Sequence, residues 1–328
     1  MRTAASLAAL SVILSLPAVA QQARDAGTFP NKPVRVIVPF PPGGGTEAFA
    51  RMTAHGLTEL WGQQVIVENR GGAGGTIGSG IAAKAAPDGY TLLVGLNGTH
   101  GIAQSLYRQI PYDTVNDFTP ISMLAIGPNF LTVHPSLPVK TAKDLVALAR
   151  ANPGQLNFGS AGIGTPPHLQ MEVFNKLSGA KIVHVAFQGG GPATIAIVSG
   201  QIQVAMTAIS NGKPLVDAGK LKVLGLTGAR RPASPLLANY PTIAESGVPK
   251  YDENTWYGLF APAGLPPALL QKIHADVVQV LRRPEFNARF VPEGQTIVGN
   301  TPDEFRENVR TEVAKWRTLI REMGLQQL

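Results

Sequence analysis

The sequence predicts an α/β protein of two lobes, each a mainly parallel sheet flanked by helices, the two joined by a pair of crossover strands. Three observations lead there. Short β-branched runs alternate with longer helical patterns in two separate series, the alternation that builds parallel sheets covered on both faces. Two further strand-like segments, residues 117–134 and 255–262, lie between the series. Glycine clusters fall where strands hand over to helices, which is where open α/β sheets bind ligands.

Residues 1–20 read as an export address rather than as part of the fold. Arg2 supplies a positive start, residues 4–16 an apolar run, and Pro17-Ala18-Val19-Ala20 a small-residue cleavage site. The run is too short to span a bilayer, and no later stretch approaches a membrane-spanning length. The expected product is a soluble periplasmic protein cleaved near Ala20.

In the first lobe, Val34-Arg35-Val36-Ile37-Val38 reads as a strand and Thr46 to about Leu60 as a helix. Val65-Ile66-Val67 is the next strand, residues 76–86 a helix, and Thr91-Leu92-Leu93-Val94 a third strand. The second series opens with a helix over residues 141–150, where Thr141 and Asp144 make a capping box. Leu156-Asn157-Phe158 then reads as a strand, and Pro166 suits the first turn of the helix after it. Further strands are expected at 182–185, 202–206 and 221–226. The chain ends in two amphipathic helices, at 267–281 and 302–323. In the last, Phe305, Val309, Val313, Trp316, Ile320 and Met323 share one face, and Thr301-Pro302 starts it. The crossing segments divide the chain into lobe I, about 29–125 plus 257–328, and lobe II, about 126–256.

Composition narrows the function. The formal net charge is +7, yet no basic run exceeds Arg230-Arg231 or Arg282-Arg283. That suits attraction of small anions and excludes the basic stripe of a nucleic-acid binder. The chain has no cysteine, which rules out disulfides, thiolate metal sites and a lipoprotein anchor. A monomer is expected.

Three loops carry the candidate chemistry. Phe40-Pro41-Pro42-Gly43-Gly44-Gly45-Thr46-Glu47 follows the first strand, and Ser160-Ala161-Gly162-Ile163-Gly164-Thr165 follows a strand of lobe II. Phe187-Gln188-Gly189-Gly190-Gly191 follows the next strand. Each lets bare backbone approach a ligand and leads into a helix whose first amides lack partners. A helix N-terminus favours an anion by about 0.3–1 kcal/mol when exposed and up to about 2 when partly buried. Three of them facing one cleft would hold a carboxylate without arginine or lysine. Tight turns alone explain any one such loop, but hydroxyl residues at the helix entrances favour a site. Asn97 and His100, beyond the third strand, could edge the same cleft; Thr99 could equally be a helix cap with His100 incidental.

Catalysis finds little support. Gly43-Gly44-Gly45-Thr46-Glu47-Ala48 with Glu68 imitates a dinucleotide fingerprint, but the export signal and the preceding prolines argue against an oxidoreductase. No phosphate-loop lysine or serine nucleophile elbow is present. His168 and Glu172 share a helix face without a second pair nearby, so neither a metal nor a cofactor is expected, and no residue is assigned a catalytic role.

The chain resembles the Bug family, the solute receptors of tripartite tricarboxylate transporters. The resemblance rests on motifs in order along nearly the whole mature chain. They include Val36-Ile37-Val38-Pro39-Phe40 leading to Gly43-Gly44-Gly45-Thr46, Val67-Glu68-Asn69-Arg70-Gly71-Gly72, and Ala86-Pro87-Asp88-Gly89-Tyr90. Asp117-Phe118-Thr119-Pro120, Pro241-Thr242-Ile243-Ala244-Glu245-Ser246-Gly247 and Gly258-Leu259-Phe260-Ala261-Pro262 continue the series. The resemblance implies a type II-like periplasmic binding protein fold and a small carboxylate ligand: a dicarboxylate, an amino acid or an aromatic acid. It also implies delivery to membrane transporter subunits, with loops 40–47, 97–100, 159–165 and 187–192 forming the pocket. Many relatives carry aspartate where this chain has Glu47, and a lysine or tyrosine near Gln188. A ligand sensor feeding a signalling partner is the alternative function.

Overall fold

The computed structural model describes residues 29–325; the expected export signal at residues 1–20 lies outside them. In its first part the chain forms β1 (Val34–Val38), α1 (Gly45–Trp61), β2 (Val65–Asn69), α2 (Thr76–Ala83), β3 (Thr91–Leu96), α3 (Ala103–Leu106) and β4 (Phe118–Gly127). Next come β5 (Asn129–Val133), α4 (Ala142–Ala151), β6 (Asn157–Ser160), α5 (Pro166–Ser178), β7 (Val183–Ala186) and α6 (Gly190–Val198). After β8 (Val204–Ala208), α7 (Ile209–Asp217) and β9 (Lys222–Leu226), the chain returns through β10 (Thr255–Pro262). It closes with α8 (Pro267–Leu281), α9 (Pro284–Phe290), β11 (Thr296–Ile297) and α10 (Pro302–Met323).

These strands make two sheets, of order β11-β4-β10-β3-β1-β2 and β7-β6-β8-β5-β9. The βα series give the parallel half of each: β1 lies parallel to β2 and β3, and β6 to β7 and β8. In β1 only Arg35 is exposed and β3 is buried throughout, as expected of strands covered by helices on both faces. The strands that cross between sheets enter antiparallel: β10 against β3 and β4, and β5 against β8 and β9. Both sheets are therefore mixed, their parallel halves coming from the βα units.

The segment 117–134 is not one crossing strand but two, because Pro128 stands between β4 and β5. Proline lacks the N–H a ladder needs, so the chain leaves the first sheet there and joins the second. Thr255, the first residue of β10, pairs with Gly127 at the end of β4, and the two crossings therefore lie side by side. Gly258 in β10 is demanded by packing: a Cβ there would come within 2.1 Å of the Phe305 ring.

Each sheet has its own core. Val36, Leu92, Leu259 and Ile273 centre the first, and Leu131, Phe158, Phe174 and Met206 the second. Helix α10 bridges them. Phe305 and Val309 pack with Phe260 on the first sheet, whereas Trp316 and Ile320 belong to the core of the second. The capping boxes Thr141–Asp144 and Thr301–Glu304 both form.

Candidate functional site

A cavity of about 120 Å³ lies where the carboxyl ends of both sheets meet. From the first sheet it receives Phe40, Gly44, Gly45 and Thr46; from the second it receives Ser160, Ala161, Thr165, Gly189 and Gly190. Three loops singled out in sequence thus meet in one place. No Asp, Glu, Lys, Arg or His side chain lines the cavity among the described residues.

Backbone supplies the amide donors, and Thr46, Asn211, Thr255 and Tyr257 add side-chain polar groups to the lining. Gly45 opens α1, so the amides of Gly45 and Thr46 have no partner within their helix. Thr46 is buried, and its hydroxyl makes no hydrogen bond among the described residues. Gly190 opens α6 in the same way. Helix α5 differs from expectation. Its first two residues are Pro166 and Pro167, which carry no N–H, and the His168 amide turns back to the Thr165 carbonyl at 3.0 Å. That helix contributes its dipole but no donors.

The hydroxyls of the 160–165 loop are likewise engaged. Thr165 Oγ1 donates to the Gly162 carbonyl at 2.6 Å, and Ser160 Oγ lies 3.0 Å from that carbonyl and 2.7 Å from His184 Nε2. Beneath the loop His184 and His168 stack with ring centroids 3.9 Å apart, and the Gly164 amide donates to His168 Nδ1. Burial lowers both imidazoles, His184 to about 4 and His168, with a contribution from its neighbour, to about 3. His168 is thus a buttress of the loop.

Other candidates do not reach the cavity. Glu47 turns back on its own loop: one oxygen accepts the Gly43 amide at 2.6 Å, the other Arg51 Nε at 2.8 Å. Burial raises its carboxyl, but the Gly43 amide and Arg51 outweigh that and hold it below the usual carboxylate range. Gly43 therefore has no amide left to offer. Asn97 is buried and donates to the Asn254 carbonyl. His100 is enclosed, stacked 4.1 Å from Phe260. Gly162 and Gln188 line an adjoining space with Tyr107 and Gly74. Gly164 packs close to Tyr107 instead.

The structure adds residues that the glycine clusters do not mark. Helix α7 begins at Ile209 directly after β8, so a further N-terminus, with Ala208 and Asn211, borders the cavity. Its turn, Thr207-Ala208-Ile209, contains no glycine. Asn129, Thr255 and Tyr257, at the two crossings, also line it. A polar residue between Pro128 and an apolar strand was the available signal for Asn129.

The chain matches the tripartite tricarboxylate transporter family receptor group (TctC) over residues 49–325. It is 33% identical over 320 residues to the UPF0065 protein in the tcbD-tcbE intergenic region of Pseudomonas sp. strain P51, covering 97% of this chain and 94% of that protein. It is 32% identical to protein BugT of Bordetella pertussis, covering 97% of each chain. Among solved structures it is similar to Rpa4515 of R. palustris with adipate (TM-score 0.87, 33% identity, 92% of this chain and 100% of that one). MatC of Rhodopseudomonas palustris with bound malate is similar too (TM-score 0.84, 32% identity, 89% of this chain and 100% of that one). These neighbours share the two-lobed periplasmic binding protein architecture. The chain belongs to the tripartite tricarboxylate transporter receptor family.

Proposed function

We propose that this protein is an exported receptor that captures a small carboxylate-bearing solute between its lobes and hands it to a tripartite tricarboxylate-type membrane transporter. One observation carries the reading: a cavity that, among the described residues, is lined by no ionised side chain is bordered by the amide-bearing starts of α1, α6 and α7, drawn from both sheets. An anion gains there from helix dipoles and from amide bonds to charge, each of the latter worth about 1.5–3 kcal/mol. Relatives solved with adipate and malate support a carboxylate ligand. The lobes in this reading are residues 29–125 plus 257–328 and residues 126–256, with Gly44, Gly45, Thr46 and Gly190 as the principal donors. The Bug relatives support a periplasmic location and a binding rather than a catalytic role.

Calorimetric titration with a panel of small carboxylic acids and their methyl esters tests this. The acids should bind and the esters should not, because esterification removes the anion that the amides recognise. Ester and acid binding with equal affinity would overturn the carboxylate reading.

A further inference from the structure

The proposed carboxylate site has a second end, and its hydrogen-bond polarity can be traced through the buried network behind it. Gln170 Nε2 lies 3.3 Å from the backbone carbonyl of Glu253. A carbonyl only accepts, so this contact fixes the orientation of the Gln170 amide and turns its Oε1 toward Asn129. Asn129 Nδ2 donates to that oxygen at 2.8 Å and approaches Thr255 Oγ1 at 3.2 Å. The backbone amide of Asn129 is held by Thr227 Oγ1 at 2.9 Å. With Nδ2 committed, the atom Asn129 has left is Oδ1. Asn129 is 5% exposed and lines the cavity, and among the described residues none donates to its Oδ1.

A second relay has the same sense. Thr132 Oγ1 donates its one proton to the Ala205 carbonyl at 3.0 Å. Its 2.7 Å contact with Thr207 Oγ1 must then use the proton of Thr207. Thr207, which also borders the cavity, therefore offers lone pairs and no donor. Asn129 and Thr207 sit on paired strands at successive register positions, so they flank the end of β8 from its two faces.

Resting on the carboxylate reading above, we infer that the cleft selects hydroxycarboxylates, with the ligand hydroxyl donating to Asn129 Oδ1. A second carboxylate would meet the lone pairs of Asn129 Oδ1 and Thr207 Oγ1, although Thr255 Oγ1, which accepts from Asn129 Nδ2 and Gln170 Nε2, keeps a proton to donate beside them. An ammonium group would find no carboxylate in the lining, because the nearby Glu47 is committed to Gly43 and Arg51. A hydroxyl supplies the missing donor without a charge to desolvate. A buried acceptor left unpaired penalises a ligand that lacks the hydroxyl, so discrimination should reach at least about tenfold.

Calorimetry on the purified protein with matched acids tests this: malate against succinate, 3-hydroxybutyrate against butyrate, 4-hydroxybenzoate against benzoate. In the wild-type protein the hydroxylated member of any pair that binds should be at least about tenfold tighter. In Asn129→Leu that ratio should fall towards one. Asn129→Ala, a smaller change at the same position, should lower the ratio in the same way if Asn129→Leu does not fold. Equal affinities within every pair, or tighter binding of the deoxy member, overturn the hydroxyl inference and leave carboxylate capture standing. Tighter binding of alanine than of lactate also overturns it. Binding of no acid in the set overturns carboxylate capture itself.

Discussion

At the scale of single residues, three imidazoles are held neutral by burial, and His100 is the extreme case. It is fully enclosed, stacked on Phe260 and edge-on to Phe118, with Nδ1 2.8 Å from Thr99 Oγ1 and Nε2 unpartnered. Burial pushes it from 6.5 to about 3. The unfolded chain therefore takes up a proton as pH falls below 6.5 that the folded chain refuses until about pH 3. Stability supplied by the neutral imidazole is complete above that window and declines through it on acidification. His100→Phe, which keeps an aromatic ring in the stack, should match the wild type near pH 8 and exceed it by about 2 kcal/mol at pH 5. Chemical denaturation at both pH values measures this, and parallel pH profiles for the two proteins would contradict it. His100 and Glu47 also mark the limit of reading single residues in sequence. Position beyond a strand end is legible, but the direction of a side chain is not. His100 faces an aromatic core that only the return of β10 assembles, and Glu47 folds back because Arg51 sits one turn away.

At the scale of elements, the start of α1 is set by its contact with β10. A Cβ on Gly45 would lie 2.6 Å from the Tyr257 hydroxyl and 3.3 Å from its ring carbon, and Tyr257 is itself buried in the first core. Gly45→Ala should therefore cost about 1–3 kcal/mol by overpacking. Tyr257→Phe in the same chain should recover most of it by removing the clashing oxygen. Thermal midpoints of the two single variants and the double variant check the coupling; additive effects would contradict the contact. The elements themselves were largely legible, since β1, β10 and α10 begin and end where alternation, helical period and capping residues place them. What escaped has identifiable causes. The 117–134 segment reads as continuous because apolar residues flank Pro128 on both sides, yet that proline splits it between sheets. The α7 entrance lacks glycine, so a search for glycine-rich loops passes over it. At α5 the motif leading into the helix reaches the cavity, but two prolines remove the amides that the motif advertises.

At the scale of the whole molecule, a chain of formal net charge +7 favours small anions near a cleft that, among the described residues, is lined by no charged side chain. In the proposed function, selectivity falls to oriented amides and to neutral acceptors, which recognise shape and protonation state together. The two adjacent crossings and the bridging α10 tie both sheets to one cavity, so the site exists only when both are in place. The most direct test of this account is calorimetric titration of Gly44→Asp with a carboxylate that binds the wild type. Gly44 has φ −100° and ψ 167° and caps α1, and a Cβ there meets nothing within 4 Å. Aspartate is a favourable residue at a helix N-cap, so the variant should fold with at least wild-type stability while its own carboxylate occupies the α1 amides. The account predicts that affinity falls by more than about 2 kcal/mol, roughly thirtyfold. Wild-type affinity in the folded variant would contradict it.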